Sequence, residues 1–263
     1  HITEAAFAAA RQGQTLYTAA NGTPEVRKAI LGKFERENGL TGTLDEIALA
    51  NGAKQIIFNA LMATVEPGDE VIVLAPYFTS YPEMVRLFGG VPVSVECPES
   101  TGFRLTPEAL AAAITPRTKW LFLNLPNNPS GATYDEAELK ALGAVLARYP
   151  QVLILSVGLA CPELRDRTLI VNGVSKAFAM TGWRVGYALG QAPLIKAMNI
   201  VQSQSCTSVC SIAQAATVAA LNGPQDHVIQ FRNAFEERRN LVVDAIRQIN
   251  GLTLASPSGA FYA

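Results

Sequence analysis

Residues 168–187 read TLIVNGVSKAFAMTGWRVGY. Thr168-Leu169-Ile170-Val171 is an apolar, largely β-branched run of the kind that forms a buried strand, and Asn172-Gly173 closes it with a turn signal. Lys176 follows at once, and Arg184 stands beyond the turn Met180-Thr181-Gly182-Trp183. Lysine is among the residues least often buried, so a lysine at the mouth of a buried sheet calls for a reason. Partly desolvated and near other cations, its pKa would fall and its amine would be free to attack a carbonyl. Arg184, with its planar fork of donors, could grip a phosphate through two bonds. The plainer reading of Ser175-Lys176 is a solvated turn.

Working outward, strand-sized runs of the same character recur in DEVIVLAPY, VPVSVE, TKWLFLNLP and VLILSV, with helical patterns such as EAELKALGAVLARY between several of them. This alternation predicts an α/β fold, a mainly parallel sheet with helices on both faces. Residues 24–37 carry Val26, Ile30 and Phe34 at helical spacing behind Pro24, with Asn38-Gly39 as a stop. EIALANGAK reads as a strand running into a glycine turn, and KQIIFNALMATV as the helix after it, broken by Pro67-Gly68-Asp69. A long charged amphipathic helix is expected over 224–250, and LTLASPSGAFYA then begins a strand.

The chain has 263 residues, of which 49% are hydrophobic and 16% charged, enough for a large core in one large domain or two unequal ones. Its 21 basic and 22 acidic residues leave no electrostatic case for nucleic acid or an anionic membrane, so a small molecule is the expected partner. The apolar runs are too short to span a bilayer, and the opening residues lack a signal or transit pattern, which sets a cytoplasmic expectation. Cys97, Cys161, Cys206 and Cys210 show no metal-binding spacing and are expected to be reduced, mostly buried thiols. With only His1 and His227, a Ser-His-Asp triad or histidine metal site lacks material, and neither a P-loop nor a GxGxxG after a strand is found. No metal is expected.

Four further stretches could carry chemistry. At Asn51-Gly52-Ala53-Lys54-Gln55 a strand would end where a helix opens, so free N–H groups and the positive helix end would converge into an anion site; the alternative is a plain tight turn. Asn124-Leu125-Pro126-Asn127-Asn128-Pro129-Ser130-Gly131 places two asparagines between prolines at the carboxyl end of a strand, the edge where open parallel sheets bind ligands. Phe78, after the strand in Ala75-Pro76-Tyr77-Phe78, could lie on a heteroaromatic ring or simply belong to the core. Tyr17 sits in an exposed segment ahead of a glycine, where its hydroxyl could reach another subunit.

The order of these motifs, Asn-Gly-Ala-Lys-Gln, Ala-Pro-Tyr-Phe, Pro-Asn-Asn-Pro-Ser-Gly and Ser-Lys-Ala-Phe-Ala-Met-Thr-Gly-Trp-Arg, closely resembles the fold-type I pyridoxal-phosphate aminotransferases, in particular the bacterial aspartate aminotransferase branch. The resemblance runs from Tyr17-Thr18 to Pro257-Ser258-Gly259-Ala260-Phe261-Tyr262. It implies a seven-stranded sheet in a large cofactor-binding domain over 21–223, after an N-terminal segment 1–20, with 224–263 as a linker helix and the start of a smaller domain. It implies transamination between an amino acid, aspartate first, and a 2-oxo acid such as 2-oxoglutarate, with pyridoxal 5′-phosphate as cofactor. Lys176 would carry the cofactor and shuttle a proton. Ala53 and Lys54 would bind its phosphate through backbone N–H groups, with Arg184 pairing to it. Phe78 would stack on the ring and help shape the substrate site; Asn128 would interact with the ring hydroxyl and help hold the substrate carboxylate. Tyr17 would complete the neighbour's site in a homodimer.

The chain also departs from this pattern. After the strand ending at Ser156 the resemblance implies an Asp-x-x-Tyr segment, its acid paired with the ring nitrogen, whereas Val157-Gly158-Leu159-Ala160-Cys161 stands there. A substrate-clamping arginine is implied beyond Tyr262. Two other readings stay open: a lyase or synthase using the same cofactor on the same fold, and a degenerate binding module without catalysis.

Overall fold

The computed structural model describes residues 1–156 and 161–262. Its strands are β1 (Ile47–Ala50), β2 (Glu70–Ala75), β3 (Val91–Glu96), β4 (Thr118–Phe122), β5 (Leu153–Ser156), β6 (Thr168–Gly173) and β7 (Gly186–Leu189). They form a seven-stranded sheet in the order β1-β7-β6-β5-β4-β2-β3. β2 is parallel to β3 and β4, and β4 to β5, as the sequence predicts. β7, which the sequence reading does not anticipate, is antiparallel to both β1 and β6. The connection 174–185 contains only a 3-10 turn, Thr181–Trp183, and no crossover helix, so the chain returns as a hairpin.

The helices are α1 (Ile2–Arg11), α2 (Pro24–Asn38), α3 (Ala53–Thr64), α4 (Ser80–Leu87), α5 (Pro107–Ala113), α6 (Glu136–Leu146), α7 (Ala192–Ser205), α8 (Ser211–Asn222) and α9 (Asp226–Arg247). By backbone contacts the chain divides into two compact units, His1–Thr64 with Leu169–Val228, and Val65–Thr168 with Ile229–Ala263.

In the first unit the local chemistry of α2 is complete. Thr23 Oγ1 accepts from the Val26 N–H at 3.3 Å, Pro24 opens the first turn, and Gly39 closes the helix in the left-handed region at φ 63°. The predicted stripe Val26, Ile30 and Phe34 is buried, and Phe34 packs edge-on against Tyr187 of β7 with centroids 5.7 Å apart. The unsignalled strand is thus held by an aromatic contact as well as by two ladders.

In the second unit β2, EVIVLA, is buried almost throughout, whereas β3, VPVSVE, is largely half-exposed and tolerates Pro92 because it ends the sheet. Ile72, Leu121, Leu110, Leu142 and Ile154 belong to one buried cluster between these strands and the helices α5 and α6. The C-terminal stretch 252–262 forms no strand, contrary to expectation: Pro257 lacks an N–H, Ala260 takes φ 61°, and the Gly259 N–H donates instead to Gly131 O at 3.0 Å. The cysteines also differ in part from expectation, since Cys97 and Cys161 are buried, Cys206 is half-buried and Cys210 is exposed.

One buried charge ties β2 to β4 at their amino ends. Glu70, 5% exposed, accepts from Thr115 Oγ1 at 2.5 Å and from Arg117 Nη2 at 2.6 Å and Nε at 3.1 Å. The Thr115 bond above all, then the Arg117 guanidinium, holds its carboxyl below the usual carboxylate range against the opposing effect of burial. A depressed folded pKa means that this contribution is present above the unfolded value, about 4.3, and is lost as pH falls through the lower folded one. Urea unfolding should therefore show Glu70→Gln costing about 1–3 kcal/mol near neutrality. The difference from the parent protein should shrink in acid; a pH-independent difference would refute this account.

Candidate active site

The first unit builds a cationic cradle from a close backbone approach. In the β1–β7 ladder Ala50 lies opposite Gly186, and in the β6–β7 ladder Gly173 lies opposite the same glycine. The residues after β1 therefore meet the residues before β7. A Cβ on Gly186 would run into the Gly52–Ala53 backbone, and a Cβ on Gly52 would run into the Arg184 guanidinium. Gly52 also takes φ 95°, which L side chains rarely adopt. These glycines let the start of α3 and the segment carrying Arg184 come together.

Arg184 is fixed by backbone carbonyls on both sides of this contact: Nη1 donates to Thr181 O at 3.0 Å and Nη2 to Asn51 O at 3.2 Å. Its own backbone is left-handed, φ 55°. Ala53 and Lys54 open α3 at the positive end of its dipole, and the N–H groups that follow, of Gln55 and Ile56, donate to Gly52 O. A guanidinium and a helix start converge here, an arrangement whose chemistry suits an anion. Gln55, quoted in the motif but without a predicted role, accepts the Asn51 N–H on Oε1 at 2.7 Å and donates from Nε2 to Cys206 Sγ at 3.0 Å, which locks the turn.

Lys176 lies on the same 174–185 connection as Arg184, in a turn whose Lys176 O accepts from the Ala179 N–H at 3.1 Å. Its side chain is exposed. The desolvation expected from the sequence is thus not supplied by the chain around it.

Tyr17 is 89% exposed and borders a cavity of 510 Å3 that Leu16, Thr18, Thr23, Ser211 and Gln214 also line. Gln214, which no sequence signal singles out, organises this segment: it donates to Thr18 Oγ1 at 2.9 Å and to Val209 O at 2.7 Å, and accepts from the Thr23 N–H at 2.8 Å.

In the second unit Phe78 is half-buried rather than core, edge-on to Tyr81 at 5.6 Å, and Tyr81 is edge-on to Phe122 at 5.3 Å. Burial pushes the Tyr81 hydroxyl up to about 12, with Tyr262 adding to the effect, so it stays protonated at neutral pH. Asn128 is half-buried beside the buried Asn127, whose Nδ2 donates to Pro76 O at 3.3 Å. The segment expected to carry an acid and a tyrosine falls on residues 157–160, outside the described residues. Among the described residues no group of three or more His, Cys, Asp or Glu could hold a metal ion, and no helix is long and apolar enough to cross a membrane.

Comparison with known proteins shows the family. The family model for aminotransferase class I and II matches residues 1–263. An aspartate aminotransferase of Rhizobium meliloti (strain 1021) is 52% identical over 278 aligned positions, which cover 100% of this chain and 68% of that protein. An aspartate/prephenate aminotransferase of Cereibacter sphaeroides is 52% identical, with 100% and 70% covered. The crystal structure of the aspartate aminotransferase from Rhizobium meliloti superposes with a TM-score of 0.97 at 52% identity, over 99% of this chain and 69% of that one. The Rhizobium alignment is longer than the 263 residues of this chain, so the relative carries residues with no counterpart here.

The cradle is testable without any reaction. Inorganic phosphate should raise the urea midpoint of the parent protein. Gly52→Ala, which forces a side chain into a left-handed position and against Arg184, should lower stability by about 1–3 kcal/mol and abolish that protection. Undiminished phosphate protection in the variant would rule out an anion site at this turn.

Proposed function

The chain belongs to the class I and II aminotransferases, and on that premise we propose that it moves an amino group between aspartate and a 2-oxo acid such as 2-oxoglutarate, with pyridoxal 5′-phosphate as cofactor. The observation that carries this reading is the cradle at Gly52, with Lys176 on the same connection as the arginine that lines it. The names of the similar proteins, aspartate and aspartate/prephenate aminotransferase, favour aspartate as the amino donor.

The residues fit such a cofactor. A phosphate ester matches a helix start joined by a guanidinium, where a Cβ at Gly52 would take the space. A flat heteroaromatic ring suits the half-buried face of Phe78, and a carboxamide at Asn128 can bond a ring hydroxyl and a carboxylate. The four residues 157–160, where an acid for the ring nitrogen is implied, include none.

When bound, the cofactor supplies an electron sink for the electrons released at the amino acid's α-carbon. The chain's own residues do the rest in this reading. Ala53 and Lys54 N–H groups and Arg184 bind the phosphate, and Phe78 orients the ring. Lys176 would hold the cofactor through its amine and, once the amino group of the substrate has displaced that amine, would take the proton from the substrate α-carbon and return it. Asn128 orients the substrate carboxylate. Tyr17, projecting from its segment, serves the neighbour's site in a homodimer. Residues 21–223 act as the cofactor-binding domain, between the segment 1–20 and a smaller domain that 224–263 begins, in a cytoplasmic protein.

Lys176→Ala should lower turnover of aspartate with 2-oxoglutarate by about 10²–10⁴-fold, the scale of a lost general base. Borohydride reduction of the cofactor-loaded parent protein, followed by peptide mapping, should label the peptide containing Lys176. Label on another lysine, or glutamate formed at the parent rate by the variant, would overturn the assignment.

A further inference from the structure

The motif Asn127-Asn128 holds two asparagines, and the proposed reaction uses only the second. The first is the more buried, at 6% exposure. Its N–H donates to Ala132 O at 2.9 Å, and its carbonyl accepts from the Gly131 N–H at 2.9 Å, so its backbone closes the loop upon itself. Its side chain leaves the loop altogether. Nδ2 donates to the carbonyl of Pro76, which lies two residues before Phe78 in the turn after β2. Because a carbonyl can only accept, the amide must face Pro76 with its NH2 group, and Oδ1 then points away, where no described residue donates to it.

We propose that Asn127 is a positioning residue of the transfer reaction: its carboxamide fastens the loop that bears Asn128 to the turn that bears Phe78, and so sets the spacing of the two side chains that meet ring and substrate. The inference rests on the function proposed above. The far end of the loop is held by Gly131 O, which accepts from the Gly259 N–H. A filler asparagine would stabilise the loop without acting on ligands; a positioning one must show in binding.

The test uses the full chain loaded with pyridoxal phosphate, with cofactor dissociation followed by tryptophan fluorescence beside steady-state kinetics with aspartate. Asn127→Leu keeps the shape and loses the donor. It should raise KM for aspartate and the cofactor dissociation constant roughly threefold to tenfold, the span of one hydrogen bond, with kcat changed less. Asn127→Asp should behave as the leucine variant at about pH 8, where the ionised carboxylate offers no donor. It should recover toward the parent KM as pH falls to about 4, the ordinary aspartate value, where much of the acid is protonated and can again donate to Pro76 O. KM and dissociation constant within about twofold of the parent for Asn127→Leu would overturn the inference. Should that variant fail to fold, an Asn127→Asp KM ratio constant across the pH range would overturn it instead. A parent protein that neither binds pyridoxal phosphate nor turns over aspartate would sink the underlying function, and this inference with it.

Discussion

The approach of two backbones at Gly52 and Gly186 governs the first unit. β7 lies between β1 and β6, and its first residue faces Ala50 on one side and Gly173 on the other. Only a glycine fits there, because any Cβ would displace the peptide that opens α3. The same contact brings Arg184 over Gly52 and lets one guanidinium bond Asn51 O across the gap. The geometry of the proposed anion site therefore depends less on charge count than on the absence of two methyl groups. A chain with a net charge of −1 can still hold a phosphate firmly if its donors are aimed by the fold.

The features legible in the sequence are those with local causes. α2 announces itself through Thr23, Pro24 and Gly39, each acting within one turn of the helix end, and the parallel strands through continuous apolar runs. β7 is not legible, because Gly-Tyr-Ala-Leu is four residues long, begins with glycine, and becomes a strand only through partners remote in sequence. The strand read at the C-terminal end fails for the converse reason: its pattern is extended, but Pro257 and the left-handed Ala260 divert it onto the 126–133 loop. In the site, glycine, lysine and arginine stand out by type. The amides do not. Gln55, Gln214 and Asn127 are defined by whom they reach, and Gln214 reaches Thr23 across 191 residues of chain. No periodicity encodes such a bond.

The two cations of the 174–185 connection face opposite physical demands. In the proposed reaction Arg184 holds a group that stays, and the structure gives it two carbonyl anchors and a left-handed backbone that limits its choices. Lys176, in the proposed reaction, must bind through its amine, let go, and return as a base, so a side chain immobilised by packing would be at a disadvantage. Its exposed position in a short turn suits that cycle. Burial falls instead on Asn127, Gln214 and Tyr187, whose positions the packing fixes.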